Sequence, residues 1–594
     1  MKRINLLIGV AGPRHLDAFE AHPRLKCSAH ISGLEFEKIL AEQPESIARI
    51  AALVKKGQLE LLSSGYYEPV LSLLPDEDKV GQIRMHTRFI ADNFLRPPRG
   101  LWLPEQIWEP TFPRIFSQSA IEYALLDEQL FYSAGLTLDS LSGYFITEDE
   151  GEITKVFATN KTLKELAAQA QADELVRYLA GIATEAGDAA AVLVLEGENP
   201  GKMFDRIEQE TKWIRPMTFS EYLDEFPARG RIYLPSVTSG KGYSKNILVR
   251  YPEANNLHKK MLHVSGRLRT LLKGNVLVGD QEKERRLELA RRELYRGAGG
   301  SVYRSGANPG LYSNAARHAA YSSLIRSEVE MDRFSRSGSP YAEVSVMDLD
   351  KDGNEEVLIS SNRLNLYFAP AYGGSIYEMD YKPRAINLTN TLARRNNDPH
   401  LRFSLMDHFL APDTDLYKFS LTDYCEAGDF VDAPYLFMPR RKGAEAGLLL
   451  YRDGKVEGIP VRVEKSVQLF SNQSIINIEY KVTNQGEEMD EFWFGVEYNF
   501  SLPDGPAAAD KSLTGISELD GAQAIKLVDE ASGLDVSLES DKPALFWRFP
   551  IMTHLPSESG LKENYQSSVV FPSWKFRLEP AQSFGVKMTL RIEE

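Results

Sequence analysis

Over residues 1–225, short runs of apolar residues alternate with longer stretches in which apolar residues recur at spacings of three and four. The short runs predict buried strands, and the longer stretches predict amphipathic helices. The candidate strands are Ile4–Val10, Leu25–Ile31, Leu59–Ser63, Gly100–Leu103, Tyr123–Leu126, Thr154–Ala158 and Ala191–Leu195. The helical patterns include residues 44–58 and 161–183. About seven strands that alternate with helices predict a parallel sheet closed into a (β/α)7-type barrel.

The pattern changes twice further along the chain. Residues 226–335 are mainly helical in pattern, with examples at 258–274 and 281–297. From about residue 340 to residue 594, apolar and polar residues alternate with a period of two, separated by turn signals, which predicts an antiparallel β-sandwich. The predicted fold class is therefore α/β plus all-β: a (β/α)7-type barrel, a helical subdomain and a C-terminal antiparallel β-sandwich.

Candidate chemistry appears at a predicted strand end, in the segment LWLPEQIWEP at residues 101–110. Chemistry in α/β barrels lies at the carboxyl ends of the strands. Glu105 follows an apolar strand and is flanked by Trp102 and Trp108. Indole rings can stack on the C–H faces of sugars, and a carboxylate can attack or stabilise an anomeric carbon. The alternative is a half-buried glutamate in an aromatic core.

Other acidic residues also stand at or just after the predicted strand ends, and they are more numerous than a structural rim needs: Glu68, Asp127, Glu128, Glu196 and Glu198.

An acidic segment, DLDKDGNEE at residues 348–356, stands at the start of the predicted sandwich. Asp348, Asp350 and Asp352 alternate and precede a glycine, as in a calcium-binding loop. A complete EF-hand loop has glutamate at its twelfth position, where this chain has Ile359. Calcium binding and a solvated acidic turn are the two interpretations.

Composition excludes several classes of protein. The 594 residues have a net charge of −15, which disfavours a nucleic-acid partner. Two cysteines, Cys27 and Cys425, imply no disulfide framework. No apolar run approaches the roughly 18 residues that a membrane span needs. We therefore expect a soluble, cytoplasmic, multidomain protein.

Several segments in fixed order resemble glycoside hydrolase family 57, most closely its 4-α-glucanotransferase and α-amylase branch. The segments lie at residues 57–83, 101–110, 121–136, 251–261, 370–380, 406–409 and 428–435. They extend over more than 400 residues, so chance similarity is improbable. The resemblance implies a (β/α)7 barrel over residues 1–225, a helical subdomain over 226–335 that completes the active-site cleft, and a β-sandwich over 340–594.

The resemblance also implies a mechanism and a substrate. Glu105 matches the nucleophile of a retaining reaction, and Glu196 takes the position of the acid/base carboxyl. The expected substrate is an α-glucan or maltooligosaccharide, with no cofactor required. The residues expected to contact it are Trp102, Trp108, Tyr67, Glu68, Asp127, Glu198 and His15.

Three features depart from the family pattern. Glu196 stands where the family has aspartate, which adds one methylene to the side chain. Ala11 and Pro13 stand where the first strand normally supplies two histidines, and His15 comes two residues later, where an ordinary loop histidine is the alternative. The segment at residues 290–306 lacks the usual tryptophan.

Two functional hypotheses follow. The first is an active enzyme that transfers or hydrolyses α-1,4-glucosidic bonds. The second is a weakened or inactive homologue that binds α-glucan in a regulatory or storage role. A metal-dependent carbohydrate deacetylase is disfavoured because the chain has only 10 histidines and lacks the first-strand pair. A homodimer is an open option.

Overall fold

The structure is a computed structural model. It describes residues 2–195, 200–236, 243–274, 280–303, 310–394, 397–503, 515–530, 532–557 and 560–594. The chain divides into two compact units. The first unit comprises Met1–Arg250 and Ala298–Gly300, and the second comprises Tyr251–Gly297 and Ser301–Glu594. The three-domain division made from the sequence stays a prediction.

The first unit alternates strands and helices. Its strands are β1 (Ile4–Ala11), β2 (Cys27–His30), β3 (Leu59–Leu62), β4 (Gly100–Trp102), β5 (Tyr123–Leu126), β6 (Tyr144–Asp149), β7 (Glu152–Ala158), β8 (Ala190–Leu195) and β9 (Ile214–Met217). Its helices are α1 (Leu16–Ala21), α2 (Gly33–Glu42), α3 (Glu45–Lys55), α4 (Asp76–Phe94), α5 (Phe112–Gln118), α6 (Glu128–Ser133), α7 (Lys161–Ala168), α8 (Ala172–Ile182), α9 (Gly201–Glu208), α10 (Phe219–Glu225) and α11 (Asn246–Arg250).

Within the described residues, the seven predicted strands form a parallel arrangement. One sheet has the order β3-β2-β1-β8 and the other has the order β4-β5-β7-β6. A parallel bridge between Ser63 and Leu101 joins β3 to β4. The Asn160 amide, just after β7, donates to the Val192 carbonyl of β8 at 3.1 Å. The strands thus follow one another around a barrel, and the predicted fold class is confirmed.

Side chains along the strands alternate between two cores. Leu6 and Ile8 of β1 pack in the cluster that includes helix residues such as Phe36. Leu7, between them, packs in the cluster with Trp102 and Leu125, which is the barrel interior. The period of two in a strand explains why neighbouring residues face opposite sides.

Two strands and one helix boundary differ from the sequence prediction. Strand β6 pairs antiparallel with β7, and β9 pairs with the first half of β1. The helical pattern at residues 161–183 is two helices, α7 and α8. They separate at Ala170, whose φ of 55° is left-handed and ends a helix.

In its described residues, the second unit has three long α-helices, one short α-helix and the sandwich strands. Its helices are α12 (Pro252–Gly274), α13 (Gln281–Gly297), α14 (Asn314–Arg336) and α15 (Leu416–Ser420). Its strands are β10 (Ala342–Met347), β11 (Glu356–Ser361), β12 (Leu364–Ala369), β13 (Ser375–Tyr381), β14 (Ile386–Asn387), β15 (Met406–Phe409), β16 (Leu436–Lys442), β17 (Glu445–Val456), β18 (Ile459–Phe470), β19 (Ile475–Asn484), β20 (Asp490–Phe500), β21 (Ser517–Asp529), β22 (Leu534–Ser557), β23 (Gly560–Leu578) and β24 (Ser583–Glu593).

The strands of the second unit form two antiparallel sheets. The smaller has the order β10-β11-β12-β13-β14, and the larger has the order β15-β20-β23-β22-β24-β19-β18-β17-β16, with β21 beside β22. Inward-facing residues of both sheets share one apolar core, for example Leu366 from the smaller sheet and Val463 from the larger. This arrangement is a sandwich, as the alternating pattern predicts.

No helix among the described residues is long and apolar enough to span a membrane.

Candidate active site at the carboxyl edge of the barrel

The register of the strands brings the residues that follow β1 to β5 to one edge of the barrel. Trp102 pairs with Leu125, the residue two before Asp127, and His30 pairs with both Ala11 and Leu62. The carboxyl ends of β1 to β5 therefore lie at the same level along the barrel axis. Residues that directly follow these strands meet at the edge where α/β barrels hold their chemistry.

Glu105 lies in a tight turn three residues after β4. The Gln106 amide and the Gln106 side-chain Nε2 both donate to the Leu103 carbonyl, each at 2.9 Å. Gln106 has a φ of 51°, in the left-handed region that costs free energy for a residue with a Cβ. This turn holds Glu105 half-buried at the strand end. Glu105 therefore lies just after the end of β4, and its role as the nucleophile stays a prediction.

Trp102 forms part of the barrel interior beneath this turn. Its ring stacks on His30 with an interplanar angle of 4° and centroids 6.1 Å apart. The His30 Nε2 atom lies 2.9 Å from the Ser64 hydroxyl oxygen. Trp102 is only 6% exposed, so its predicted contact with sugar stays a prediction. Trp102, the last residue of β4, is therefore held by stacking on His30, and the Ser64 hydroxyl group in turn holds His30.

His86 of α4 extends this interior network. Its Nδ1 atom accepts a hydrogen bond from the Ser64 amide at 3.0 Å. Complete burial lowers the pKa of His86 to about 4. At neutral pH His86 is therefore uncharged, and its Nδ1 atom is free to act as the acceptor.

Trp108 is packed more deeply than the sequence pattern suggests. Its side chain is 1% exposed and meets the rings of Phe112 and Phe116 at steep angles. The indole supports the wall formed by α5. Its role in contacting sugar stays a prediction, and it requires this side chain to become uncovered.

Tyr67 and Glu68 follow β3 in a turn of their own. The Glu68 amide donates to the Gly65 carbonyl at 2.9 Å, and Glu68 has a φ of 49°. The Glu68 carbonyl accepts from the Gly300 amide at 3.0 Å. A Cβ at Gly300 would lie 2.6 Å from that carbonyl oxygen, so only glycine fits this contact. The Tyr67 hydroxyl donates to Glu37, at 3.4 Å.

Asp127 and His15 occupy helix starts after their strands. The Asp127 carboxylate caps α6 by accepting from the Gln129 amide at 2.9 Å. His15 is 5% exposed at the start of α1, and burial, together with the neighbouring charge of Arg14, lowers its pKa. Ala11 packs against the interior cluster of Trp102 and Leu125, so the first strand presents a methyl group there. Whether Asp127 and His15 contact sugar stays a prediction.

Glu196 and Glu198 lie outside the described residues, between Leu195 at the end of β8 and Pro200. Their roles as acid/base and substrate-binding residue stay predictions.

Comparison with known proteins identifies the family. The profile of glycosyl hydrolase family 57 matches residues 13–235. Profiles of the alpha-amylase/4-alpha-glucanotransferase middle domain and C-terminal domain match residues 242–331, and 348–397 with 396–588. An alpha-amylase of Pyrococcus horikoshii is 31% identical, covering 92% of this chain and 90% of that protein. The chain belongs to glycosyl hydrolase family 57.

Two 4-alpha-glucanotransferases are also similar to this family 57 chain. The protein from Thermococcus kodakarensis is 30% identical, covering 95% of this chain and 94% of its own. The crystal structure of the enzyme from Thermococcus litoralis has a TM-score of 0.86 and 27% identity over 100% of both chains. The resemblance found in the sequence is thus confirmed along the whole chain.

Three residues that support the site were missed in the sequence: His30, Ser64 and His86. A histidine at the end of a predicted strand, with serines after the next strand, was a usable signal for His30 and Ser64. His86 lies within a helix, and no local pattern in the sequence connects it to the barrel interior.

The acidic loop of this family 57 chain differs in detail from the predicted calcium loop. Carboxylate oxygens of Asp348, Asp350 and Glu356 lie within 4.8 Å of one another. The Asp352 carboxylate instead accepts from the Asn354 amide at 2.7 Å and from its side chain at 3.0 Å. Asp352 thus lies in a turn, whereas Glu356 lies close to Asp348 and Asp350. The predicted calcium loop of Asp348, Asp350 and Asp352 stays a prediction. Burial raises the pKa of Glu356 to about 7.

Proposed function

We propose that this protein transfers or hydrolyses α-1,4-glucosidic bonds with retention of configuration, with Glu105 as the nucleophile. The observation that supports this most is the placement of Glu105. It is half-buried in a tight turn at the carboxyl end of β4, in a parallel barrel of a family that contains 4-alpha-glucanotransferases and alpha-amylases.

The proposed reaction has two steps. The Glu105 carboxylate attacks the anomeric carbon, and the bond from that carbon to the leaving sugar oxygen breaks. A second carboxyl group gives its proton to the leaving oxygen. The same group then takes a proton from an acceptor hydroxyl, which attacks the anomeric carbon and releases Glu105. Water as acceptor gives hydrolysis, and a sugar hydroxyl gives transfer.

We assign the second carboxyl group to Glu196. The support is from the sequence: Glu196 directly follows the buried strand β8 and takes the place of the family's aspartate. Glu198 is the alternative donor. A retaining pair needs carboxyl groups about 5–5.5 Å apart, so a structure with bound sugar would distinguish the two.

Incubation with maltoheptaose tests the proposal. A ladder of shorter and longer oligomers indicates transfer, and glucose with maltose alone indicates hydrolysis. The Glu105→Gln variant is the matched control, because it keeps the size of the side chain and removes the nucleophile. Bound but unchanged maltoheptaose would overturn the proposal in favour of the binding-only homologue.

Three finer proposals accompany this function. Calcium binding by Asp348, Asp350 and Glu356 predicts a higher Tm in calcium than in EDTA, and an unchanged Tm would refute it. A homodimer predicts twice the mass of one chain in light scattering. A cytoplasmic location agrees with the two cysteines, Cys27 and Cys425, which are both free.

A further inference from the structure

A group of potential metal ligands lies in the second unit, in a different unit from Glu105. It consists of His400, His408 and Glu497, whose ligand atoms all lie within 4.8 Å of one another. His408 is on β15 and Glu497 is on the adjacent strand β20, where it pairs with Met406. His400 lies in the segment that leads into β15. We name these three residues the His-His-Glu cluster.

His400 is the member that lacks an explanation within the protein. His400 is only 8% exposed, and neither of its ring nitrogens has a hydrogen-bond partner in the described part of the chain. Burying a polar group without a partner costs about 1–3 kcal/mol. Such groups are rare in proteins and often mark an ion or water site. The His400 ring meets the His408 ring edge to face, with centroids 5.6 Å apart.

His408 is oriented as a metal-bound histidine would be. Its Nδ1 atom lies 3.0 Å from Glu426 Oε2, so this nitrogen donates to a carboxylate. Metal-binding histidines usually donate their other ring N–H to a carboxylate or carbonyl in this way, which fixes the ring and the tautomer. The remaining nitrogen, Nε2, then faces Glu497.

The distance between His408 and Glu497 fits a shared metal ion better than a hydrogen bond. His408 Nε2 lies 3.4 Å from Glu497 Oε2 and has no hydrogen-bond partner within the described chain. Two ligands on a tetrahedral zinc ion, with bonds of about 2.0–2.1 Å, are roughly 3.4 Å apart. The gap therefore has the length that a bridging ion requires.

Glu497 is held in place by Arg402, which reaches both of its oxygens, and by Asn499. Its Oε1 atom accepts from Arg402 at 3.0 Å and from Asn499 at 2.6 Å. Arg402 also lies 3.1 Å from Oε2, and its other terminal nitrogen donates to Asp398 at 2.6 Å. Asp398 offsets the charge of Arg402. Hydrogen bonds to a ligating carboxylate are typical of the residues that surround metal sites.

We propose that the His-His-Glu cluster binds a divalent transition-metal ion of the zinc class, with a fourth position for water. Two imidazoles and one carboxylate suit zinc, whereas calcium and magnesium prefer sites made of oxygen ligands. The ion would replace the missing partner of His400 and join the His400 segment to β15 and β20. The proposal does not depend on the function of Glu105.

Zinc titration of the full-length, metal-stripped protein tests this proposal. Zinc content is measured by elemental analysis after gel filtration, and affinity by calorimetry with zinc alone. We expect one zinc ion per chain and a higher Tm with zinc than with magnesium. His400→Gln should weaken binding at least about tenfold, because it removes a ligand and not merely its support. Replacement by cobalt should give the visible absorption of a tetrahedral site.

Two control variants separate this site from surface binding. His554→Gln removes an exposed histidine of the same sandwich, and Cys425→Ser removes the exposed thiol. Both should bind zinc like the natural protein. Zinc binding that is absent, or that survives unchanged in His400→Gln, would overturn the proposal. His408→Gln should also lose zinc, but His400→Gln decides the question if that second variant does not fold.

Discussion

The barrel interior beneath Glu105 and the interior of the second unit hold different kinds of buried polar group. Beneath Glu105, the barrel interior holds His30, Ser64 and His86, which are joined by hydrogen bonds, and His86 is neutral. The second unit buries full charges in its interior. Neutral groups can orient neighbouring side chains with little electrostatic strain, whereas buried charges must be matched almost completely. The comparison suggests that the barrel positions a reactive group and that the second unit secures its own packing.

Lys260 of α12 shows how the second unit does this. Its Nζ atom lies 2.6 Å from Asp380 and 3.1 Å from Glu328, and it also donates to Glu378. All four side chains are fully buried. Burial, with the nearby charge of Asp380, raises the pKa of Glu378 well above its usual range, which relieves the repulsion between the carboxylates. The group joins α12 and α14 to strand β13.

A second buried pair repeats the pattern within the sandwich. Lys465 Nζ lies 3.0 Å from Asp407 Oδ2. Tyr435 and Tyr480 donate their hydroxyls to Asp407 at 2.6 and 2.7 Å. Outside the barrel, the family resemblance includes segments 251–261, 370–380 and 406–409. These segments contain Lys260, Glu378, Asp380 and Asp407. At these four positions the resemblance is therefore explained by packing.

The largest effect that we expect is a loss of catalysis in the barrel with almost no loss of stability. Glu105→Gln should reduce kcat for maltoheptaose on the order of 10⁴-fold, because removing a nucleophile removes the covalent step. The free energy of unfolding should change by less than about 0.5 kcal/mol, since Glu105 is only half-buried. Product assays and denaturant titration measure the two quantities. Residual activity above about one tenth would contradict the assigned role.

Lys260→Met should have the converse effect in the second unit. Removing the lysine leaves Asp380 and Glu378 without their buried cation, which costs about 3–5 kcal/mol, while Glu328 keeps its ion pair with Arg267. Denaturant unfolding measures this loss. Lys259→Met is the matched control because Lys259 is half-buried on the same helix and should cost far less. Equal stability of the two variants would show that the buried cluster adds nothing to stability.

Restoring the two histidines at the end of the first strand should raise the rate of the reaction at the carboxyl edge of the barrel. Ala11→His combined with Pro13→His adds two hydrogen-bond donors, each worth about 0.5–1.5 kcal/mol. We expect kcat to rise about tenfold with little change in affinity for maltooligosaccharide. Steady-state kinetics measures kcat and the affinity for maltooligosaccharide, and each single variant is a control. If the natural protein already turns over about 1–1000 substrates per second, the weakened-enzyme interpretation is wrong.

The smallest effect concerns the pH dependence of His86. Its pKa is about 4 in the folded protein and about 6.5 when unfolded, so the unfolded state binds the proton more readily. The stability that neutral His86 contributes is complete above pH 6.5 and is lost as the pH falls towards 4. His86→Asn retains an acceptor and should reduce this loss by about 1 kcal/mol. Unfolding titrations at pH 7 and pH 5 measure the difference, and parallel curves would contradict it.

Much of the barrel could be predicted from the sequence because its strands are buried on both faces. Each predicted strand overlaps an observed parallel strand, from β1 to β8, with β6 excepted. The pattern of β6 is weaker because it lies at an edge, and β9 contains Pro216, which argues against a strand. Sandwich strands were predicted from their alternation of apolar and polar residues.

The candidate site was predicted only in part because some of its contacts depend on register. The turn of Glu105 follows from its strand, so its position was accessible. The parallel strands bring segments that are distant in sequence to the same end of the barrel. This is why His30, Ser64 and Trp102 lie together. The approach of Glu356 to Asp348 and Asp350 depends on how the loop folds, which residue spacing does not determine.

Trapping the covalent intermediate tests the central claim most directly. The protein would be incubated with a fluorinated maltosyl donor that forms the glycosyl ester quickly and releases it slowly, then digested and analysed by mass spectrometry. The account predicts one glycosyl adduct, on the peptide containing residues 101–110 and on Glu105, and no adduct in Glu105→Gln. An adduct on another carboxylate, or turnover with inversion and no adduct, would contradict it.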